Sequence, residues 1–150
     1  MKSFVFSMER MRNYKEQLLD GEKGTLRRLR QERDAISDRI AALQTFRRTT
    51  DTEFQARQKA GVSYLEIQSF QFRMENARMT LKQLRQELEK ANEAVEAQLQ
   101  VVIQASQEVS GLDKLEEKQQ ETYRQQANAE SREQILEQVS NKESRKRQQA

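Results

Sequence analysis

Residues 67–112, IQSFQFRMENARMTLKQLRQELEKANEAVEAQLQVVIQASQEVSGL, put apolar side chains at alternating steps of three and four residues. The series runs Ile67, Phe70, Met74, Ala77, Leu81, Leu84, Leu88, Ala91, Val95, then Val102, Ala105, Val109 and Leu112. Only Gln98 interrupts it. A spacing averaging about 3.5 residues draws one narrow apolar seam along a helix and leaves its other faces polar. A lone helix of this kind has no core. It must zip against a second helix, which points to contact with proteins rather than to chemistry.

A similar seam precedes it: Phe4, Met8, Met11, Lys15, Leu18, Glu22, Leu26, Leu29, Arg33, Ile36, Ile40, Leu43, Arg47, Thr50 and Phe54. Two successive steps of four at 18, 22 and 26 form a stutter, which locally unwinds a left-handed supercoil. Gly21 and Gly24 fall at the same place. Each costs about 1 kcal/mol of helix propensity relative to alanine. The pair marks either a soft point in the helix or two tolerated surface glycines.

The second helix has a marked start. Ser63 and Glu66 have the spacing of a capping box, with Val62 and Ile67 placed for a hydrophobic staple. Gly61 suits the left-handed end of the preceding helix. Thr50 and Glu53 offer another box, so residues 51–60 read as a short separate helix or as part of the turn. So short a connection makes the long helices antiparallel. The sequence therefore predicts an all-α chain: one coiled-coil domain over 1–150, a two-stranded antiparallel hairpin with a C-terminal helical overhang. Helix 1 is expected over about 4–57, the reversal about 51–62, helix 2 about 63–140 and a disordered tail about 141–150. With the reversal near residue 60, paired positions sum to about 120. Phe4 then lies opposite roughly residue 116, and the helix beyond has no internal partner.

Composition agrees with a long hairpin. Charged residues make up 34% of the chain and apolar ones only 35%, a low share for a compact domain of this length. Polarity this high also suits disorder, but disordered segments do not hold apolar residues in register. Cysteine and histidine are absent, which removes thiol and imidazole chemistry and most transition-metal sites. No run approaches the roughly 18 apolar residues of a membrane span. The start, MKSFVF, is broken by Glu9, Arg10 and Arg12 before it forms a signal-peptide core.

Several motifs in order resemble the FliJ family of flagellar type III export proteins. They are Phe4-x-Phe6 followed by Met8-Glu9-Arg10-Met11, the Gly61-linked reversal, and YLEIQSFQFRMENA over Tyr64–Ala77. Leu112-x-x-Leu115-Glu116-Glu117-Lys118, continuing through Tyr123-Arg124 to Ala129-Glu130, completes the set. The likeness covers most of residues 3–140. It implies an antiparallel coiled coil similar to the rotor stalk of rotary ATP synthases, acting as a non-catalytic stalk and adaptor. The implied partners are a hexameric export ATPase, the cytoplasmic part of the transmembrane export gate, and export chaperones. The implied location is cytoplasmic, peripheral to the inner membrane through those partners alone.

In the family the end carrying both termini enters the ATPase ring. That end corresponds here to Phe4, Phe6, Met8, Arg10, Lys114, Lys118, Tyr123 and Arg124. The gate-contacting row corresponds to Phe70, Met74, Ala77 and Leu81. These four also occupy the seam, so their exposure would require helix 1 to splay near Arg47 and Thr50. Phe46 and Phe72 lie off the seam and are alternative exposed contacts.

Other chemistry finds little support. Gly21-Glu22-Lys23-Gly24-Thr25 lacks the full phosphate-loop pattern and does not follow a strand. Carboxylate pairs need a shielded pocket to become acids or bases, and a two-helix hairpin has none. No cofactor or metal is expected, and the chain does not read as an enzyme. Arg27, Arg28, Arg30 and Arg33, and Lys142 to Arg147, lean basic but carry no interleaved aromatics for nucleic acid. Two rival readings remain: a generic coiled-coil spacer or scaffold, and a nucleic-acid-binding helical protein.

Overall fold

A computed structural model describes residues 3–149. It consists of two long helices, α1 (Glu9–Ala60) and α2 (Tyr64–Gln149), packed as an antiparallel hairpin. Its contacts divide the chain into two compact units. One joins the residues up to Leu19 to those from Gln104 onward, and the other is Asp20–Ile103.

In Asp20–Ile103 the core is the expected seam. Ile40, Leu81 and Leu84 are buried together, with Ile36, Leu43 and Leu88 packed against them. Leu81 is 1% exposed, the most enclosed large side chain among the described residues. Gln98, which interrupts the apolar series, stays in the seam by donating to the Glu22 carboxylate and to the Glu22 carbonyl at 3.1 Å. A polar residue at a seam position is tolerated when its hydrogen bonds are met across the interface.

The reversal takes only residues 61–63. Gly61 adopts φ +97° and its N–H reaches the Gln58 carbonyl at 3.2 Å, so it ends α1 in the left-handed region that favours glycine. Ser63 Oγ accepts from the Glu66 N–H at 3.2 Å, and Val62 and Ile67 are both half-buried as a staple requires. The capping box is half-built, because the Glu66 carboxylate instead accepts from Arg57 at 2.9 Å. Residues 51–60 are not a separate helix; they are the last turns of α1. Thr50 is buried in the seam and is not a cap, and nothing before Gly61 interrupts the helical backbone.

In the other unit the helix starts later than expected. Residues 3–6 have no regular secondary structure, Ser7 and Met8 form a turn, and α1 begins at Glu9 rather than near Phe4. A non-helical chain rises up to about 3.3 Å per residue against 1.5 Å in a helix. The leading segment therefore reaches further along α2, and Phe4 meets Tyr123 rather than residue 116 (ring centroids 5.6 Å apart). Gln119, Gln120, Tyr123 and Ala127 are half-buried as a result, and the residues of α2 from Asn128 to Gln149 are all exposed. The tail expected to be disordered from about 141 is helical through Gln149; Ala150 and residues 1–2 lie outside the described part.

The expected stutter is absent. Arg12, Lys15, Leu19, Glu22 and Leu26 line the seam in steps of three and four, while Met11 and Leu18 face outward. Arg12 takes the place assigned to Met11 because its guanidinium finds partners across the helix pair. α1 and α2 run on through Gly21, Gly24 and Gly111, and open space surrounds each of these glycines.

Candidate functional site

Two surfaces hold the residues singled out from the sequence. The first is the terminal face of the unit containing residues up to Leu19 and those from Gln104. Its interior is mixed. Phe6 is 5% exposed, and the Arg12 guanidinium lies 5.4 Å from its ring centroid, a cation–π contact. Arg12 also pairs with Glu116 and lies 4.0 Å from Asp113, while Lys15 meets Glu108 at 2.9 Å. These ion pairs fix the register of the two helices here, and apolar periodicity gave no sign of them. The available signal was charge complementarity at positions summing to about 125.

The eight terminal candidates divide by this packing. Phe6 is inside, and Phe4, Met8 and Tyr123 are half-buried, with the Phe4 and Tyr123 rings tilted at 59°. Arg10, Lys114, Lys118 and Arg124 are exposed; Arg124 lies 3.8 Å from Glu121. Ser3, Phe4 and Val5 line one side of an open hollow whose other side is Lys118, Gln119, Thr122, Tyr123 and Gln126. Exposed Val5 was not singled out from the sequence, since it falls off the seam. The result is an apolar strip with a basic margin.

The second surface lies beside the reversal. Phe70 stacks on Phe54, ring centroids 3.9 Å apart and planes 6° from parallel, and is half-buried. Met74 is half-buried in an open groove with Gln44, Arg47, Arg48 and Asp51. Ala77 and Leu81 are buried in the seam. Helix α1 does not splay here: Thr50 is 5% exposed, and Arg47 keeps a buried Nε without a hydrogen-bond partner. Phe46 and Phe72, off the seam, are exposed.

The chemistry such surfaces allow is contact. Among the described residues no group of His, Cys, Asp or Glu is placed to hold a metal ion, and no helix is long and apolar enough to cross a membrane. Two surface residues, Glu75 and Arg78, have a clearly shifted pKa. Arg78 donates to Glu75 through Nε at 2.9 Å and Nη2 at 2.6 Å. That hydrogen bonding holds the Glu75 carboxyl below its ordinary range and raises Arg78 above its own.

The sequence profile described as Flagellar FliJ protein matches residues 4–136, from the terminal strip through both helices. The chain belongs to the FliJ family. That membership gives it a role associated with flagellar protein export, in a family of non-enzymatic components. The match ends inside the exposed stretch of α2, at Leu136. No curated protein and no solved structure matches the chain.

Proposed function

We propose that this FliJ-family chain is a non-catalytic stalk and adaptor: its terminal face binds the hexameric export ATPase, and its reversal end meets the cytoplasmic part of the export gate. Export chaperones dock on the same hairpin, and the protein works in the cytoplasm beside the inner membrane. The observation that carries the reading is the terminal strip, where Phe4 and Val5 lie beside Lys118 and Tyr123 in an open hollow with Arg10, Lys114 and Arg124 exposed in the same unit. Apolar side chains flanked by cations suit a partner with apolar pockets and an acidic rim. One rod in a six-fold ring cannot contact every subunit alike, and that asymmetry biases which subunit closes on nucleotide next.

At the reversal end the burial of Ala77 and Leu81 assigns them to holding the seam. The gate is read through the accessible edges of Phe70 and Met74, together with Phe46.

The test is stimulation of the purified hexameric ATPase at equal protein concentration. Phe4→Ala with Met8→Ala, at half-buried positions, should abolish most of the stimulation while helicity stays unchanged. Full stimulation by that variant would show that the ring is engaged elsewhere. Failure of the wild-type chain to co-purify with the ATPase would leave a generic spacer as the better reading.

A further inference from the structure

The side of α2 opposite its seam carries large apolar residues where a solvated coiled coil has polar ones. Leu65, Phe72 and Met79 recur every seven residues and are 75%, 69% and 59% exposed. At 3.6 residues per turn they form one straight ridge, each about 10 Å from the next. Gln68, Ser69, Asn76 and Gln83, all uncharged, fill the ground beside it. Cations stand on both margins. Arg78, Lys82 and Arg85, with Gln86 and Glu89, line a shallow groove on one side, and on the other Arg73 shares a hollow with Arg57, Glu53 and Glu66.

The charge balance of this end is unlike that of the whole molecule. On α2 itself, residues 64–85 carry four Lys or Arg and two Asp or Glu, a net +2 in 22 residues, against +3 for the whole chain. Arg78 and Glu75 pair on the ridge margin and cancel, which leaves Arg73, Lys82 and Arg85 as its cations. Among the described residues no ion pair engages Arg73, Lys82 or Arg85.

We propose that this face of α2, from Tyr64 to Arg85, docks directly on an anionic lipid surface. A helix face with an apolar ridge and basic margins lies in the plane of a bilayer, its ridge at the acyl boundary and its cations on the headgroups. Long Arg and Lys stems let the charges rise to the phosphates while the ridge sinks. Three ridge side chains are too few for the roughly 800 Å² per partner of a stable protein interface. A bilayer needs no matching pocket, so each inserted side chain adds affinity by itself. The attachment is independent of the ATPase reading and adds to any held through protein partners.

The experiment is flotation of the full chain with phosphatidylcholine vesicles, with and without about 30% phosphatidylglycerol, at low and high salt. The chain should float with the anionic vesicles at low salt, stay behind with the neutral ones, and be released by high salt. A variant with Leu65→Ser, Phe72→Ser and Met79→Ser, all surface positions, should keep its helicity and lose at least about tenfold in partitioning. A variant with Lys142→Gln, Arg145→Gln, Lys146→Gln and Arg147→Gln should float as the wild type does. The proposal fails if the anionic vesicles do not retain the chain, or if the tail variant loses flotation while the ridge variant keeps it. It also fails if the ridge variant abolishes self-association, or if DNA retention at low salt replaces flotation.

Discussion

The two units close the same helix pair by different physics. Asp20–Ile103 is held by aliphatic packing, with Leu81 and Leu84 against Ile40. The other unit buries fewer apolar side chains, Phe6, Leu19 and Val109, and adds an aromatic contact at Phe4 and Tyr123 and ion pairs from Arg12 and Lys15 to Glu116 and Glu108. Aliphatic burial is insensitive to salt and removes about 25 cal/mol per Å² from water. Partly exposed ion pairs are screened by salt and contribute little each. The two mixtures of contacts should therefore respond differently to salt.

Four substitutions probe this contrast. The largest effect belongs to Leu81→Ala, which should cost about 4 kcal/mol in chemical denaturation, as expected for an enclosed leucine. Arg12→Ala should cost about 2 kcal/mol, because it strips the cation from Phe6 and leaves Glu116 unpaired. Its penalty should shrink in high salt, while that of Leu81→Ala should not. Equal salt response of the two would erase the distinction. Next come Gly21→Ala and Gly24→Ala: with open space around each glycine, either should stabilise the protein by about 1 kcal/mol. A loss of stability there would mean that the glycines serve a bend.

The smallest effect concerns acid. Arg78 holds the folded-state pKa of Glu75 below its ordinary value, chiefly through the hydrogen bond. The stability this gives is complete above the ordinary carboxyl range and vanishes as pH falls through the lowered folded-state value. Glu75→Gln should therefore lower the melting temperature slightly at neutral pH and leave it unchanged in strong acid, which flattens the acid limb of the profile. An unaltered limb would mean that the pair is solvated in solution.

Much of the fold was legible because α2 keeps its period without error: each seam residue from Ile67 to Leu112 is buried or half-buried, Gln98 included. Gly61 and Ser63 likewise announced the reversal through backbone conformation and capping. What periodicity missed is polar. Counting apolar residues chose Met11 and Leu18, whereas the structure chose Arg12 and Leu19, because an ion pair can hold a seam position as a methyl group does. Phe4 was placed on a helix because its spacing to Met8 is helical, and an aromatic contact with Tyr123 outside the helix was invisible to that rule. At the terminal face the aromatic and basic residue types were readable, but not that Phe6 turns inward and Val5 outward. At the reversal end the family resemblance suggested Ala77 and Leu81 as contacts, and the seam pattern they also follow is what buries them.

The folding back of α1 onto α2 is tested most directly by distances inside single molecules. The chain has no cysteine, so spin labels at Lys15→Cys with Glu108→Cys, and separately at Glu22→Cys with Gln98→Cys, report each unit cleanly. In dilute protein mixed with excess unlabelled chain, both pairs should give short distances, as for helix axes about 8–10 Å apart. If dilution removes the short distances, the helices pair between molecules and the hairpin account is wrong.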